Sequence, residues 1–141
     1  MPKCFGFIIL DLESKKTILV ESPQGHLSFP KGKYEKKDKT QYNCAVRELQ
    51  EETGITTDLI DIIPDLILSE YKVENICSIQ YYIGVIKNKI NDFTFDEEEI
   101  TSVKWYDFNE IENLDNFRQS RKDVFIELSK IINSGSLNTN K

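Results

Sequence analysis

Histidine and cysteine are scarce in this chain. One histidine, His26, and three cysteines, Cys4, Cys44 and Cys77, are all that its 141 residues contain. No C-x-x-C pair occurs, and with a single histidine no zinc ligand set can be assembled. The odd, scattered cysteines form no disulfide framework and fit reduced, small side chains in a cytoplasmic setting. Positive charge is in deficit too, with 18 Lys and Arg against 24 Asp and Glu and a formal net charge of −6. That balance argues against a protein devoted to gripping nucleic-acid backbone, while leaving room for a local basic patch. No apolar run approaches the roughly 20 residues of a membrane-spanning helix, and MPKCFGFIIL lacks a signal-peptide layout, so no membrane partner is expected. Repeats, linkers and low-complexity blocks are absent. What remains is an ordinary globular composition, 39% hydrophobic and 30% charged, at a length suited to one hydrophobic core.

Two apolar runs open the chain, CFGFIILD (4–11) and TILVES (17–22), separated by a polar link of hairpin length. They predict two paired strands. SPQGH (22–26) is turn chemistry, with His26 a plain turn residue, and LSFPKGK (27–33) is a short strand entering a Pro and Gly loop. A helix should begin near Asp38 or Thr40, either of which can cap it, with Cys44, Ala45 and Leu49 facing inward. Gly54 suits the left-handed position past its end. Residues 60–71 and 77–87 read as strands, with Pro64 marking a bend or an edge. An acidic loop (91–99) precedes a further strand (100–108). From Asn116 a helical period through Phe117, Arg121, Val124, Phe125 and Leu128 predicts a closing amphipathic helix. The expectation is one α+β domain over 1–133 and a polar, frayed tail over 134–141.

The chemistry concentrates in RELQEETGI (47–55). Glu48, Glu51 and Glu52 fall at i, i+3 and i+4, so a helix would put three carboxylates on one face. Like charges at that spacing cost a helix a few tenths of a kcal/mol per pair. Solvent can absorb this cost, and an acidic helix face alone has no specificity. Alternatively a hard cation such as Mg²⁺ or Mn²⁺ sits among the three. Just before the helix, Gly32 lets backbone approach a ligand closely, and Lys31 and Lys33 are phosphate-seeking charges.

The longer stretch GKYEKKDKTQYNCAVRELQEETGI (32–55) resembles the Nudix box, the signature of hydrolases acting on nucleoside diphosphates linked to another group. The second half of the pattern is met at Arg47, Glu48, Leu49, Glu51, Glu52, Gly54 and Ile55. The first half departs: from Gly32 to Arg47 the chain is one residue longer than the family spacing. Asp38 is assigned the role of the missing box glutamate, which pairs with the arginine, and Glu35 is the alternative partner. FPKGK is similar to the loop of dinucleoside polyphosphate hydrolases and of mRNA-decapping enzymes. The segment EEEITSVKWYDFNEI (97–111) is similar to both as well, placing Glu99 six residues before Trp105.

The resemblance covers nearly the whole chain and implies the Nudix fold, a mixed β-sheet sandwiched between α-helices. It also implies a Mg²⁺- or Mn²⁺-dependent hydrolase of a nucleoside polyphosphate, most simply a dinucleoside polyphosphate, with mRNA cap removal or nucleoside triphosphate pyrophosphohydrolysis as alternatives. Glu48, Glu51 and Glu52 are then metal ligands, with the Gly32 carbonyl a further candidate. Glu52 or Glu99 would take the proton from the attacking water, and Arg47 would orient the carboxylates. Lys31 and Lys33 are candidates for holding outer phosphates. Tyr81 and Tyr82 point to opposite faces of a strand, so one is core and the other is free to stack a base; Tyr81 is favoured. Phe117 is read as core. Arg118, Arg121, Lys122 and Lys130 are the basic residues available to an RNA strand. A non-catalytic nucleotide-binding module would be expected to lack a box glutamate, and all three are present.

Overall fold

The computed structural model describes residues 2–73, 76–135 and 137. Seven strands make one mixed sheet: β1 (Cys4–Asp11), β2 (Lys16–Glu21), β3 (Leu27–Ser28), β4 (Lys31–Lys33), β5 (Ile60–Val73), β6 (Ile76–Ile86) and β7 (Ser102–Asp107). Two α-helices, α1 (Gln41–Thr53) and α2 (Gln119–Asn133), cover it. This is the expected α+β class, with the sheet between helices.

β1 is central, and its neighbours explain its unbroken apolar sequence. It runs parallel to β6 from Cys4 opposite Ile79 to Leu10 opposite Val85. On its other edge it pairs antiparallel first with β4 and then with β2. A strand covered on both faces has no polar side to present. Phe5, Phe7 and Ile9 join Cys44, Ala45 and Leu49 of α1 in one core. Ile8 and Leu10 join Phe117 and the α2 residues Val124, Phe125 and Leu128 in the other. Phe117 is therefore core, as expected. β2 is lined along its whole length by β7.

Local chemistry fixes the ends of α1. Thr40 rather than Asp38 is the N-cap, its hydroxyl accepting the Asn43 N–H at 3.0 Å. Gly54 closes the helix at φ +84, a left-handed conformation that a side chain resists. The extra residue before Arg47 is taken up by a 3₁₀ turn at Lys36–Asp38, closed by Glu35 N–H donating to Asp38 Oδ2 at 2.8 Å. Pro64 sits where the β5 to β6 register breaks between Ile62 and Ile67, beside Asp65 at φ +61. It marks a bulge on an edge strand.

The acidic loop does not float. Thr94 N–H donates to Thr53 O at 3.1 Å, and Trp105 Nε1–H donates to Ile90 O at 2.6 Å. These bonds pin residues 90–100 over the C-terminal end of α1. His26 is an exposed turn residue whose carbonyl accepts the Ser22 N–H at 2.9 Å. No described helix is long and apolar enough to cross a membrane. α2 ends at Asn133; most of the expected tail, 136 and 138–141, lies outside the described residues.

Candidate active site

α1 directs Glu48, Glu51 and Glu52 to one side, toward β4 and the pinned acidic loop. β4 passes directly beneath Glu48: a Cβ on Gly32 would overlap the Glu48 carboxylate. Glycine here leaves the Glu48 carboxylate in place, and any side chain would have to push it aside. The Gly32 carbonyl is turned toward the helix, where it accepts the Cys44 thiol at 3.6 Å. One residue earlier, the Lys31 N–H donates to Glu52 Oε1 at 3.2 Å. Opposite these groups, a cavity of about 300 Å³ is lined by Glu51, Glu52, Asp96, Glu99 and Ile100. The loop and the helix thus bring Glu99 to the same space as the box glutamates. Asp96 is an addition that the sequence reading missed. Its carbonyl accepts the Glu99 and Ile100 N–H groups and its Oδ1 accepts the Glu98 N–H at 2.9 Å. That turn-forming role puts an acidic residue at the mouth of the site, and a DEEE run does not show which of its four members turns inward.

Arg47 is the hub behind the carboxylates. Its Nε and Nη2 donate to the two oxygens of Asp38 at 2.7 and 2.9 Å, a bidentate pair. Nη1 donates to Glu48 Oε2 at 2.9 Å and to Glu51 Oε1 at 3.2 Å, and Nη2 also donates to the Lys33 carbonyl at 3.1 Å. Glu35 stands 3.8 Å away as an outer ion pair. Of the two residues expected to replace the box glutamate, Asp38 makes the tight contact and Glu35 the loose one. The guanidinium bonds hold the buried Asp38 carboxyl down at about 2.

The remaining carboxylates are short of positive charge. Burial, reinforced by Glu48 and Glu99, pushes Glu52 up to about 8 against the pull of Lys31. Burial likewise raises Glu48, outweighing its Arg47 partner. Without a cation, Glu52 keeps a proton at neutral pH. An oxygen-only donor set under electrostatic crowding fits a hard divalent ion such as Mg²⁺ or Mn²⁺. Among the described residues no three His, Cys, Asp or Glu side chains stand close enough together to hold a metal ion between them. An ion here would complete its shell with water and substrate oxygens, as Mg²⁺ ordinarily does.

Three expected substrate contacts are placed differently from one another. Lys31 is half-buried beside the site, its ammonium pKa lowered by burial and then by Arg121, with Glu52 and Glu70 pulling the other way. Lys33 is exposed and lines a separate cavity with Tyr34, so it does not join the carboxylates. The stacking role expected for Tyr81 is wrong. Tyr81 is 0% exposed, and its hydroxyl donates to the equally buried Glu70 at 2.6 Å. Alternation on β6 does send Tyr82 to the opposite face, but that face is covered too. Tyr82 is half-buried, with its ring centroid 5.3 Å from that of Tyr42 and 5.8 Å from that of Phe7. In a sheet sandwiched between helices neither tyrosine is left free. Glu70 also accepts the Ser120 hydroxyl at 2.7 Å and faces Arg121 Nε at 3.4 Å. Arg121, which donates to the Leu27 carbonyl at 3.1 Å, is therefore an internal strut and not part of a basic path for RNA.

The NUDIX domain family matches residues 2–128. The Saccharomyces cerevisiae m7GpppN-mRNA hydrolase is 33% identical over 110 residues, 75% of this chain and 11% of that protein. A putative mRNA-decapping protein of Acanthamoeba polyphaga mimivirus is 31% identical over 88 residues, 58% of this chain and 24% of that one. The chain thus spans about a tenth of the yeast protein's length. Among solved structures, a Caenorhabditis elegans Ap4A hydrolase binary complex superposes with a TM-score of 0.79 at 20% identity, covering 94% of this chain and 99% of that one. The MutT protein of Methanosarcina mazei superposes at 0.68 with 17% identity, covering 90% and 91%. These two likenesses establish a shared fold.

Proposed function

The chain belongs to the NUDIX family, and we propose that it hydrolyses a phosphoanhydride bond in 5′,5′-linked dinucleoside polyphosphates, using Mg²⁺ or Mn²⁺. The observation that carries this reading is the crowding of Glu51, Glu52, Asp96 and Glu99 about one cavity, with Glu48 close enough to feel Glu51 and Glu99, and with Glu52 and Glu48 buried beyond what nearby positive charge can balance. Glu48, Glu51 and Glu52 would hold the ion. When bound, it supplies charge neutralisation for the phosphates and lowers the pKa of a water.

The chain's own residues do the rest. Arg47, anchored on Asp38, fixes Glu48 and Glu51. The Lys31 N–H fixes one oxygen of Glu52, leaving the other for the ion. Gly32 keeps a side chain out of the space that Glu48 occupies. Glu99 is the exposed carboxylate on the opposite wall, and we assign it to receive the proton of the attacking water. The Lys31 ammonium, which feels both Glu52 and Glu70, is the cation we assign to a phosphate, since the Arg47 guanidinium is taken up by carboxylates.

Similarity to the C. elegans Ap4A hydrolase over nearly its full length supports a dinucleoside polyphosphate as substrate. The 33% identity to the yeast m7GpppN-mRNA hydrolase favours a second reading, the cap of an mRNA. Both ligands are two nucleosides joined 5′ to 5′ through phosphates, so one chemistry serves either. Three free cysteines agree with a cytoplasmic, reducing setting. The test is a panel of diadenosine tetraphosphate, cap dinucleotide, capped RNA, dNTPs and nucleotide sugars, with product masses. Preferred cleavage of the first two, with little gain from lengthening the RNA, is expected. Orders-of-magnitude preference for long capped RNA would make decapping the better assignment, and preference for dNTPs or nucleotide sugars would overturn both.

A further inference from the structure

A second cavity, of about 450 Å³, opens between the start of β1, the end of β4 and the first turn of α1. Its wall is aromatic: Phe5 and Tyr34 meet edge to face with ring centroids 6.3 Å apart, and Tyr34 is 37% exposed. Lys3, Lys33 and Lys39 also line it, and no Asp or Glu does. Among the described residues none of these three ammonium groups takes part in an ion pair, whereas nearby Lys37 is paired with Glu35 at 3.5 Å. Three unpaired cations beside an exposed aromatic ring are out of character for a chain of net charge −6. Lys39 is moreover held at φ +69, a conformation that residues with a Cβ adopt at a cost. The volume falls in the range of small-molecule sites, which combine an apolar wall with a few placed charges.

We propose that this cavity binds a nucleotide, with the base against Tyr34 and the phosphates toward Lys33 and Lys39, and that it seats the nucleoside of the substrate remote from the carboxylates. An aromatic face accepts any base by stacking, and lysines take phosphate as point charges. β4 connects this cavity to the active site. The Lys33 carbonyl accepts from Arg47, and within the same strand Gly32 touches Glu48 and Lys31 bonds Glu52. Along the α1 axis, Gln41 at the cavity is about 10 Å from Glu48 and about 16 Å from Glu52. A single phosphate cannot bridge that span, but a polyphosphate chain can. The role in catalysis rests on the hydrolase reading above, but nucleotide binding here does not.

The test is an amide NMR titration of the ¹⁵N-labelled full chain with ADP in excess EDTA, where the acidic site has no ion to recruit phosphate. ADP should move the Tyr34, Thr40 and Gln41 signals, with adenosine alone and pyrophosphate alone each binding more weakly. Lys39→Glu, at an exposed position, should raise the ADP Kd tenfold or more, and Tyr34→Ala should do the same if it folds. Signals that stay still, an unchanged Kd in Lys39→Glu, or pyrophosphate binding as tightly as ADP would overturn the proposal. In the holoenzyme, Lys39→Glu should lower the ratio of kcat/KM for diadenosine tetraphosphate over adenosine tetraphosphate at least fivefold. An unchanged ratio would overturn the assignment of the remote nucleoside. If the wild type binds ADP as described but cleaves neither compound, the nucleotide site stands and the hydrolase reading fails.

Discussion

Replacing Glu52 with Gln should stabilise the metal-free protein at alkaline pH. In the folded chain the Glu52 carboxyl is pushed from its ordinary 4.5 up to about 8, first by burial and then by Glu48 and Glu99. Its folded pKa lies above its unfolded one, so the folded state binds the proton more tightly. Below pH 4.5 both states are protonated and there is no penalty. Between 4.5 and 8 stability falls as pH rises, and above 8 the full penalty applies. At 1.36 kcal/mol per pKa unit the ceiling is roughly 4–5 kcal/mol, and because water reaches this half-buried group we expect roughly 2 kcal/mol. Glutamine keeps the shape and can still accept the Lys31 N–H. Thermal unfolding in EDTA should therefore show E52Q melting roughly 5–10 °C above wild type at pH 9, and level with it at pH 5. Mg²⁺ or Mn²⁺ should reverse the order at pH 9, because an ion that binds only the folded wild type adds stability by mass action. An E52Q protein no more stable than wild type at pH 9 without metal would refute the idea that this carboxylate is held short of positive charge.

Asp38→Asn should cost roughly 2–3 kcal/mol in urea unfolding at neutral pH, since it discharges one arm of a buried bidentate pair. Because the Asp38 pKa is depressed to about 2, its contribution is complete above pH 3.8 and is lost as pH falls toward 2, so the acid limb of the stability curve should flatten in the variant. Gly32→Ala should fold but bind Mn²⁺ at least tenfold more weakly by paramagnetic resonance, because the new methyl displaces the Glu48 carboxylate. Glu99→Gln should lower kcat by about 10²–10⁴-fold while leaving the Mg²⁺ concentration for half-activation unchanged; a shift in that concentration instead would mark Glu99 as a ligand.

Much of this architecture is legible in the sequence where one residue answers to one local demand. The apolar run of residues 4–11 announced β1 as a strand, and Gly54 announced the left-handed end of α1. The i, i+3, i+4 glutamates shared a face because a helix leaves them no alternative. Legibility failed where the answer depended on what lies across the fold. Alternation separated Tyr81 from Tyr82 correctly, but only the packing of α2 on β5 and β6 revealed that Tyr81 is sealed in against Glu70. Arg121 fell on the period of the apolar stripe, yet was counted among the cations available to RNA because its partner Glu70 lies 51 positions earlier in the chain. The extra residue before Arg47 had two candidate resolutions, and the 3₁₀ turn at Lys36–Asp38 selected the one that points Asp38 at the guanidinium. Lys33 looked equivalent to Lys31, yet the strand end places it in the neighbouring cavity with Tyr34.

The most direct test of the central claim is the initial rate of diadenosine tetraphosphate cleavage in Mg²⁺, with products identified by mass, for wild type and for E52Q shown to be folded. The account predicts nucleotide products from the wild type, no turnover in excess EDTA, and a loss of at least about 10²-fold in E52Q. Wild-type rates in E52Q, or full turnover with the metal chelated, would show that the acidic face of α1 is solvated surface and that the chemistry lies elsewhere.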